Sequence, residues 1–458
     1  MSSEIPALTS PPRELPALWK LALPSLMEQF LVFFIGLVDT WLAGRIGTDA
    51  SVAVGLASYV DWLANLMFLS VGVGTSAVVA RYWGAGEKEQ ANRAASQAVP
   101  LGIIVGLCSG AIILLGAPLF ADLQGLRGMS EETYQIGVRF LRISACSHVF
   151  SAVVLAGNAA LRGSGDMKTP MFILAIMNVT NAAVSAALVS GWGVPSLGTN
   201  GIILGTTVAR VLGAFLMFLR MSSSSSGVRW ERSWMFPRRE WVVRMLRIGL
   251  PALADGMLTW TGHFLFIMVI AHLATGELGK AYYAAHMVGM NIEALTYLPA
   301  VAWGTAAASL IGQSLGAGRP EQAWRIGQQA VLQCGVLAVG AALLFYFGAD
   351  SIFHWMHTDP LVRQIGPPAL RFISLYQLPL VALIIYTQSL RGAGDTRFPM
   401  LFTLLGTLMI RVPLAYLCGI VLHGGLIGAW TGMMADVCFR SLLASIRYFR
   451  GGWMRVKV

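Results

Sequence analysis

The sequence predicts an all-α integral membrane protein, with twelve transmembrane helices in two six-helix lobes related by pseudo-twofold symmetry about the membrane normal. Composition is the first of three observations behind this prediction. Of the 458 residues, 56% are hydrophobic and 12% are charged. A soluble protein of this composition would have too little polar surface, so the sequence indicates a protein that lies in a bilayer.

An internal repeat is the second observation. LRGSGDMKTPM at 161–171 recurs as LRGAGDTRFPM at 390–400, and GAGEKEQANRAASQAV at 84–99 recurs as GAGRPEQAWRIGQQAV at 316–331. A weaker third pair aligns ALPS in the first helix with GLPA in the seventh. The order is the same in both halves, so each half is one copy of a single unit. Repeats of this kind are typical of secondary transporters, which bind their substrate between the copies.

Twelve apolar stretches are the third observation. Each is long enough to cross about 30 Å of hydrocarbon as a helix. Because each copy contains an even number of spans, the two copies run parallel through the membrane. The predicted spans are 19–43, 50–80, 92–119, 134–161, 168–191, 198–220, 245–274, 280–314, 322–348, 362–390, 397–421 and 424–448.

The distribution of charge predicts the orientation. Most lysines and arginines fall in loops on the side of the N-terminus, which places both termini in the cytoplasm of an inner-membrane protein. Contact with an anionic leaflet explains the net charge of +10 better than nucleic-acid binding does. The start of the chain lacks the features of a cleaved signal, so the first span is expected to be retained. The predicted divisions are a cytoplasmic segment at 1–18, an N-terminal lobe at 19–221, a cytoplasmic linker at 222–244, a C-terminal lobe at 245–450 and a cytoplasmic tail at 451–458.

Acidic residues inside the spans are candidate functional residues. An ionisable side chain at membrane depth costs about 2.5–3.5 kcal/mol, so each one requires an explanation. Aligning the copies places Glu28 opposite Asp255 and Asp61 opposite Glu293. Acids present in both copies are either structural hydrogen-bond partners or part of a substrate cavity. An acid present in one copy is a candidate for ion coupling.

Asp39 is such an acid, because its counterpart in the second copy is Phe266. In the same lobe the fifth helix adds two asparagines and the sixth adds two adjacent threonines. A carboxylate among neutral amides and hydroxyls can take up a proton at moderate pH, because burial disfavours the charged form and no fixed cation holds it ionised. The predicted cation-coupling site consists of Asp39, Asn178, Asn181 and Thr207, with Thr206 beside it.

Two arginines also lie at membrane depth. Arg411 in the eleventh helix and Asp436 in the twelfth are predicted to form a salt bridge, with Arg440 one turn further along. A locking salt bridge and a role for Asp436 in substrate competition are both open at this point. Arg210 has no partner that the sequence identifies. The histidines within the spans share no metal-binding face, so no metal site is predicted.

Several strings together carry a resemblance to a known family. They are LALPSLMEQFLVFFIGLVDTWLAGRIG in the first helix, the two LRGxGD turns with their prolines, NIEALTYLP at 291–299 and GQSLGAG at 312–318. In this order they resemble the multidrug and toxic compound extrusion (MATE) family, and the resemblance covers essentially the whole chain. It implies a twelve-helix antiporter that exports organic, often cationic, compounds in exchange for protons or sodium ions.

The resemblance also implies roles for particular residues. Asp39 matches the first-helix aspartate that the family uses in cation coupling, and Asn178 falls where the family places an asparagine beside it. Ala182 stands where some members have a second aspartate. Thr259 and Leu380 stand where the sodium-coupled members carry acids. The departures favour protons as the coupling ion, with sodium as the alternative.

The resulting hypothesis is a secondary active antiporter that exports organic, cationic drugs or toxic compounds by alternating access. Its partners are small organic cations and the lipid bilayer, it acts as a monomer, and it needs no cofactor beyond the coupling ion. No nucleotide-binding motif and no set of residues for enzymatic catalysis is found, so an ion gradient is the expected energy source. A flippase for lipid-linked precursors is the alternative function, although its anionic substrate requires cationic residues that face the cavity.

Overall fold

The computed structural model describes residues 18–193, 195–223, 227–456 and 458, and all regular structure within them is helical. Eleven helices are long and apolar enough to span a membrane, and a pair of helices bent by 55° forms the twelfth span. The predicted fold class is therefore confirmed. The spans are α1 Leu18–Ile46, α2 Thr48–Gly84, α3 Lys88–Leu123, α4 Glu131–Gly163, α5 Lys168–Ser190, α6 Thr199–Ser222, α7 Arg239–Ala271, α8 Gly276–Gly316, α9 Pro320–Met356, α10 Pro360–Ser374 with Gln377–Gly392, α11 Arg397–Val421 and α12 Gly425–Phe449.

The segment before α7 is bound to the N-terminal lobe. Helix α7 begins at Arg239, ahead of residue 244 where the predicted linker ends, and residues 224–226 of the serine run lie outside the described residues. The backbone N–H groups of Arg229 and Arg238 donate to Asn92 and Gln97 of α3, at 3.0 and 2.7 Å. Residues 227–238 are thus held against the start of α3.

The two RGxGD turns make equivalent ion pairs, which confirms the duplication. In the first copy, Arg162 of the turn pairs with Glu28 of α1, and Asp166 pairs with Arg220 of α6 at 3.3 Å. Each turn therefore joins the first and last helices of its own copy. The equivalent pairs in the second copy are Arg391 with Asp255 and Asp395 with Arg447. We call the end of the bundle that carries these turns the turn end; it is the end predicted to face the cytoplasm.

Glycines bring the two lobes together toward the turn end. A β-carbon on Gly84 would overlap the backbone of Gln313 in α8, and one on Gly316 would overlap the backbone of Arg81 in α2. These two contacts are reciprocal under the pseudo-twofold axis. We call the contact formed by Gly74, Gly84, Gly249 and Gly316 the glycine seam; Gly74 meets the backbone of Met245, and Gly249 meets that of Ser70.

Hydrogen bonds cross the same region. The Ser309 hydroxyl in α8 donates to the carbonyl oxygen of Arg162 in α4, and the Gln313 amide donates to that of Gly163 at 2.9 Å. Arg81 of α2 donates to the carbonyl oxygens of Ala393 at 3.3 Å and Val456 at 3.0 Å. Backbone groups from both copies therefore close the molecule at the turn end.

Gly84→Ala should separate the lobes at the turn end. The added methyl group has to displace the Gln313 backbone, because no flexible side chain can move out of its way. In a variant without native cysteines, Ser309→Cys reports this separation, since Ser309 is 1% exposed. We expect a polar maleimide to modify that cysteine several-fold faster when Gly84 is alanine. Gly55→Ala is the control, since no atom lies within 4 Å of its added carbon; equal rates in both variants would contradict the prediction.

Candidate functional site

Asp39 lies in a polar group formed by three helices of the N-terminal lobe. The amide of Asn181 in α5 donates to Oδ1 of Asp39 at 3.2 Å, and the hydroxyl of Thr206 in α6 lies 3.1 Å from Oδ2. Asn181 also donates to the Thr206 oxygen at 2.9 Å. Asn181 is 1% exposed and its Oδ1 has no hydrogen-bond partner, whereas Asp39 is half-buried. An unpaired buried oxygen beside the carboxylate can accept a hydrogen bond from a protonated Asp39 or coordinate a cation.

A close approach of α5 and α6 sets this geometry. A β-carbon on Gly205 would overlap Ser185, so the glycine lets the two helices meet there. The Ser185 hydroxyl donates to the carbonyl oxygen of Ile202 at 3.2 Å across the same contact. Asn181 lies one turn from Ser185 along α5, and Thr206 follows Gly205 in α6. The glycine therefore places the amide and the hydroxyl side by side facing α1.

Two residues predicted for the coupling site do not contact Asp39. The amide of Asn178 donates to the carbonyl oxygen of Leu31, at 2.7 Å; Leu31 lies about 12 Å from Asp39 along α1. The hydroxyl of Thr207 donates to the carbonyl oxygen of Ile203 within its own helix, at 2.8 Å. Neighbouring helical residues point about 100° apart, so only one of the two threonines faces α1, and that residue is Thr206.

Asp61 forms a second polar group in the same lobe. Arg210 donates to its Oδ2 at 2.6 Å, and His148 and Ser144 of α4 lie 3.0 and 3.1 Å from its Oδ1. The other guanidinium nitrogen of Arg210 donates to the Ser147 hydroxyl at 2.7 Å. Arg210, which had no partner in the sequence analysis, is therefore held by α2 and α4. Both oxygens of Asp61 are occupied by donors.

Arg210 lies one turn from Thr206 along α6, so the pair that it forms with Asp61 lies beside the contact between Thr206 and Asp39. The direct contacts of Asp39 are neutral, as the sequence predicts, and an ion pair lies beyond them. The physical reason is that α2 and α6 pack beside α1 and bring their own ion pair to the edge of the site. The charge of Arg210 is offset by Asp61, its direct partner.

In the C-terminal lobe, Asp436 is fully buried between two arginines. Arg411 of α11 donates to its Oδ2 at 2.8 Å through Nε, and Arg440 donates to its Oδ1 at 2.6 Å. The predicted salt bridge of Arg411 and Asp436 is thus present, and Arg440 extends it. Gly406 permits this arrangement, because a β-carbon there would overlap both Asp436 and Arg440.

The other three acids have separate partners. Glu28 and Asp255 pair with the turn arginines at the turn end, far from Asp39. Glu293 of α8 accepts a hydrogen bond from the Tyr376 hydroxyl at 3.1 Å. The symmetric acids Asp61 and Glu293 therefore have different surroundings, with an arginine beside the first and a tyrosine beside the second. Among Glu28, Asp61, Asp255, Glu293 and Asp436, Asp61 is the one whose arginine partner lies one turn from Thr206, a direct contact of Asp39.

An aromatic cluster lies between the lobes, on the far side of the glycine seam from the turn end. Trp260 of α7 contacts Tyr59 and Trp62 of α2, with ring centroids 5.3 and 6.1 Å apart. Phe264 stacks on Trp260 at 5.6 Å. Nothing in the sequence distinguishes these residues, since aromatic residues occur in most of the spans. Their pairing across the lobes depends on the tertiary structure.

Comparisons with known proteins agree with this architecture. The MatE family model matches residues 24–187 and 251–417. The chain is similar to the probable multidrug resistance protein NorM of Thermotoga maritima, with 27% identity over 95% of this chain and 92% of the relative. It is 25% identical to the multidrug resistance protein PmpM of Pseudomonas aeruginosa, over 95% of this chain and 93% of that protein.

Solved structures share the fold. A crystal structure of MATE in the bent conformation matches with a TM-score of 0.87 at 20% identity, covering 95% of each chain. The outward-facing conformation of a multidrug resistance MATE family transporter matches with a TM-score of 0.84 at 20% identity, covering 96% of each chain.

Proposed function

The chain belongs to the MatE family, and on this premise we propose that it is a secondary active antiporter that exports organic cations in exchange for protons. The observation that carries this proposal is the position of Asp39. Its direct partners are the amide of Asn181 and the hydroxyl of Thr206, neither of which is charged. Such a carboxylate can alternate between a protonated state and a state that binds a cation, as antiport requires.

Competition for one carboxylate provides the coupling. When Asp39 is ionised, it attracts a cationic substrate. When a proton from the outside neutralises it, that attraction is lost and the substrate leaves. Asn181 and Thr206 accommodate both states, because an amide and a hydroxyl can each donate to a carboxylate or accept from a carboxylic acid. Release of the proton to the inside then restores the cation-binding state.

The glycine seam supports alternating access. The glycines let the lobes meet backbone to backbone at the turn end, so opening there requires release of the side-chain hydrogen bonds of Ser309, Gln313 and Arg81. The basic loops favour a cytoplasmic position for the turn end. We therefore assign the present conformation, closed at the turn end, to an outward-facing state of a monomer with both termini inside.

The aromatic cluster supports the proposal that the substrates are organic cations. Flat rings attract cations through their faces and bury the apolar parts of an amphipathic molecule. Trp260 and its partners in α2 bridge the two lobes, so a ligand bound there contacts both copies. An aromatic surface between the lobes and an ionisable carboxylate in the N-terminal lobe together fit amphipathic cations.

Sodium is the alternative coupling ion, and the C-terminal lobe gives it little support. The Thr259 hydroxyl bonds to the carbonyl oxygen of Asp255 within α7 at 2.9 Å, and Leu380 is buried and apolar. A flippase for lipid-linked precursors requires free cations for its anionic substrate. Arg210 and Arg411, the deep arginines, are both paired with acids. Protons and cationic substrates therefore remain the proposal.

Transport by purified protein in proteoliposomes tests the proposal. A fluorescent organic cation is followed under an imposed proton gradient or an imposed sodium gradient, each applied separately. We expect transport with the proton gradient and none with sodium alone. Transport driven by the sodium gradient would show that sodium, and not the proton, is the coupling ion. Failure of both gradients, with transport of a lipid-linked precursor, would support the flippase instead.

Trp260→Ala should weaken the apparent affinity for aromatic cations by about tenfold, because a ring–cation contact contributes about 1 kcal/mol or more. Concentration-dependent transport or equilibrium binding measures the change. Trp355→Ala serves as control, since that ring is 85% exposed and lies in the C-terminal turn of α9. An unchanged affinity in Trp260→Ala would show that the aromatic cluster is not part of the substrate site.

A further inference from the structure

Asp61 and Arg210 form a neutral pair beside Asp39. The guanidinium of Arg210 lies 2.6 Å from Oδ2 of Asp61, and both side chains are mostly buried. The remaining oxygen of Asp61 is occupied by His148 and Ser144. No oxygen of Asp61 is therefore left without a donor, and the carboxylate is poorly placed to bind a second cation.

The contacts of His148 are those of an uncharged ring. Its Nε2 atom lies 3.0 Å from Asp61, and its Nδ1 atom is buried with no hydrogen-bond partner. A protonated ring would place an N–H group at Nδ1 with no acceptor, which costs the full desolvation of that group. The geometry therefore fits the neutral ring, with its proton on Nε2 directed at Asp61.

Asp39 determines the net charge of the site, because the Arg210–Asp61 pair is neutral. This ion pair lies beside Asp39, since Arg210 is one turn from Thr206 along α6, and the charges of the pair cancel each other. Asn181 and Thr206 contribute dipoles without charge. With Asp39 ionised the site has a net charge of about −1, and with Asp39 protonated it is neutral.

We propose that the Asp39 site accepts one positive charge at a time, and that Arg210 sets this limit by neutralising Asp61. The inference rests on the proposed function and specifies its substrates as singly charged organic cations. A doubly charged cation would place its second charge near the guanidinium of Arg210, with no carboxylate free to compensate it. One proton and one singly charged cation are then equivalent in charge, so each can replace the other at Asp39.

Two matched probes test the charge limit. N-methyl-4-phenylpyridinium carries one positive charge, and N,N′-dimethyl-4,4′-bipyridinium carries two on a similar pair of rings. We expect the wild type to transport the first with a kcat/KM at least about tenfold higher under a proton gradient. Arg210→Gln leaves Asp61 unneutralised, so the preference should fall by about tenfold or invert. Arg210→Lys keeps the charge and should keep the preference.

The double variant Asp61→Asn with Arg210→Gln separates charge from structure. It lacks the same ion pair as the single variant, yet it restores the net charge of the site. We expect it to recover the preference for the singly charged probe. Asp61→Asn alone leaves Arg210 unneutralised, and should weaken binding of that probe by about tenfold. Arg371→Gln, which removes an arginine at the exposed pair with Asp350, controls for expression and folding.

The outcomes distinguish this inference from the proposed function. Equal transport of both probes by the wild type, or an unchanged preference in Arg210→Gln, overturns the charge limit and leaves the antiporter intact. Should Arg210→Gln fail to fold, the comparison of Asp61→Asn with the double variant decides: no recovery of binding in the double variant contradicts the inference. If the wild type neither binds nor transports either probe, the proposed function itself fails.

Discussion

Asp39→Asn should abolish proton-driven transport, with a loss of at least about 100-fold in rate. The asparagine keeps the size of the side chain and a hydrogen bond with Asn181 or Thr206. It cannot gain or lose a proton, so proton and substrate no longer compete for it. The measurement is uptake of a fluorescent cation into proteoliposomes under an imposed pH difference.

A control and a second readout make this test specific. Asp350→Asn alters an acid whose side chain is 69% exposed, and it should transport as the wild type does. Binding of a labelled cation at equilibrium should fall in Asp39→Asn and lose its dependence on pH. A variant with intact pH-driven transport would show that another group couples the ion.

Asp436→Asn should destabilise the protein strongly. Asp436 is fully buried, and its loss leaves the guanidiniums of Arg411 and Arg440 without a counter-charge. Breaking a buried pair in this way costs about 3–5 kcal/mol, because an uncompensated charge remains in a medium of low polarity. We expect a clear fall in the melting temperature of the purified protein in detergent, in the absence of substrate.

A second substitution checks the cause. Adding Arg440→Gln to Asp436→Asn removes one of the two uncompensated charges and should recover part of the stability. The single variant Asp436→Asn and the double variant with Arg440→Gln also decide between the two roles of Asp436 that the sequence leaves open, a locking salt bridge and substrate competition. An unchanged melting temperature combined with weaker cation binding would favour substrate competition over a locking salt bridge.

The duplication explains why much of the fold was predictable. Spans are set by apolar length, and the recurring RGxGD turns identify equivalent positions in the two copies. The pairing of Glu28 with Arg162 was within reach of the sequence, because an acid and an arginine recur at the equivalent positions, Asp255 and Arg391. Asp39 was identified by the opposite signal, an acid without a counterpart.

The rest depended on which sides of the helices face each other. Thr206 and Thr207 are equally polar, and the choice between them requires the orientation of α6 against α1. Asp61 and Arg210 are 149 positions apart, and no local pattern links them. The one available signal was energetic. An arginine at membrane depth needs an acid at a similar depth, and the N-terminal lobe contains few such acids.

Helix α1 is held at three points: by Arg162 at Glu28, by Asn178 at the carbonyl oxygen of Leu31, and by Asn181 with Thr206 at Asp39. Between Leu31 and Asp39, Phe33 and Leu37 are half exposed, so this stretch is packed lightly. A helix that is held along its length moves little, and loss of the contacts near one end allows that end to move. In the proposed antiport, uptake of a proton changes the hydrogen bonds at Asp39 and leaves the contacts at Glu28 and Leu31 unchanged. We therefore expect the part of α1 beyond Leu31 to move relative to the inner part, so that one proton shifts a whole length of helix.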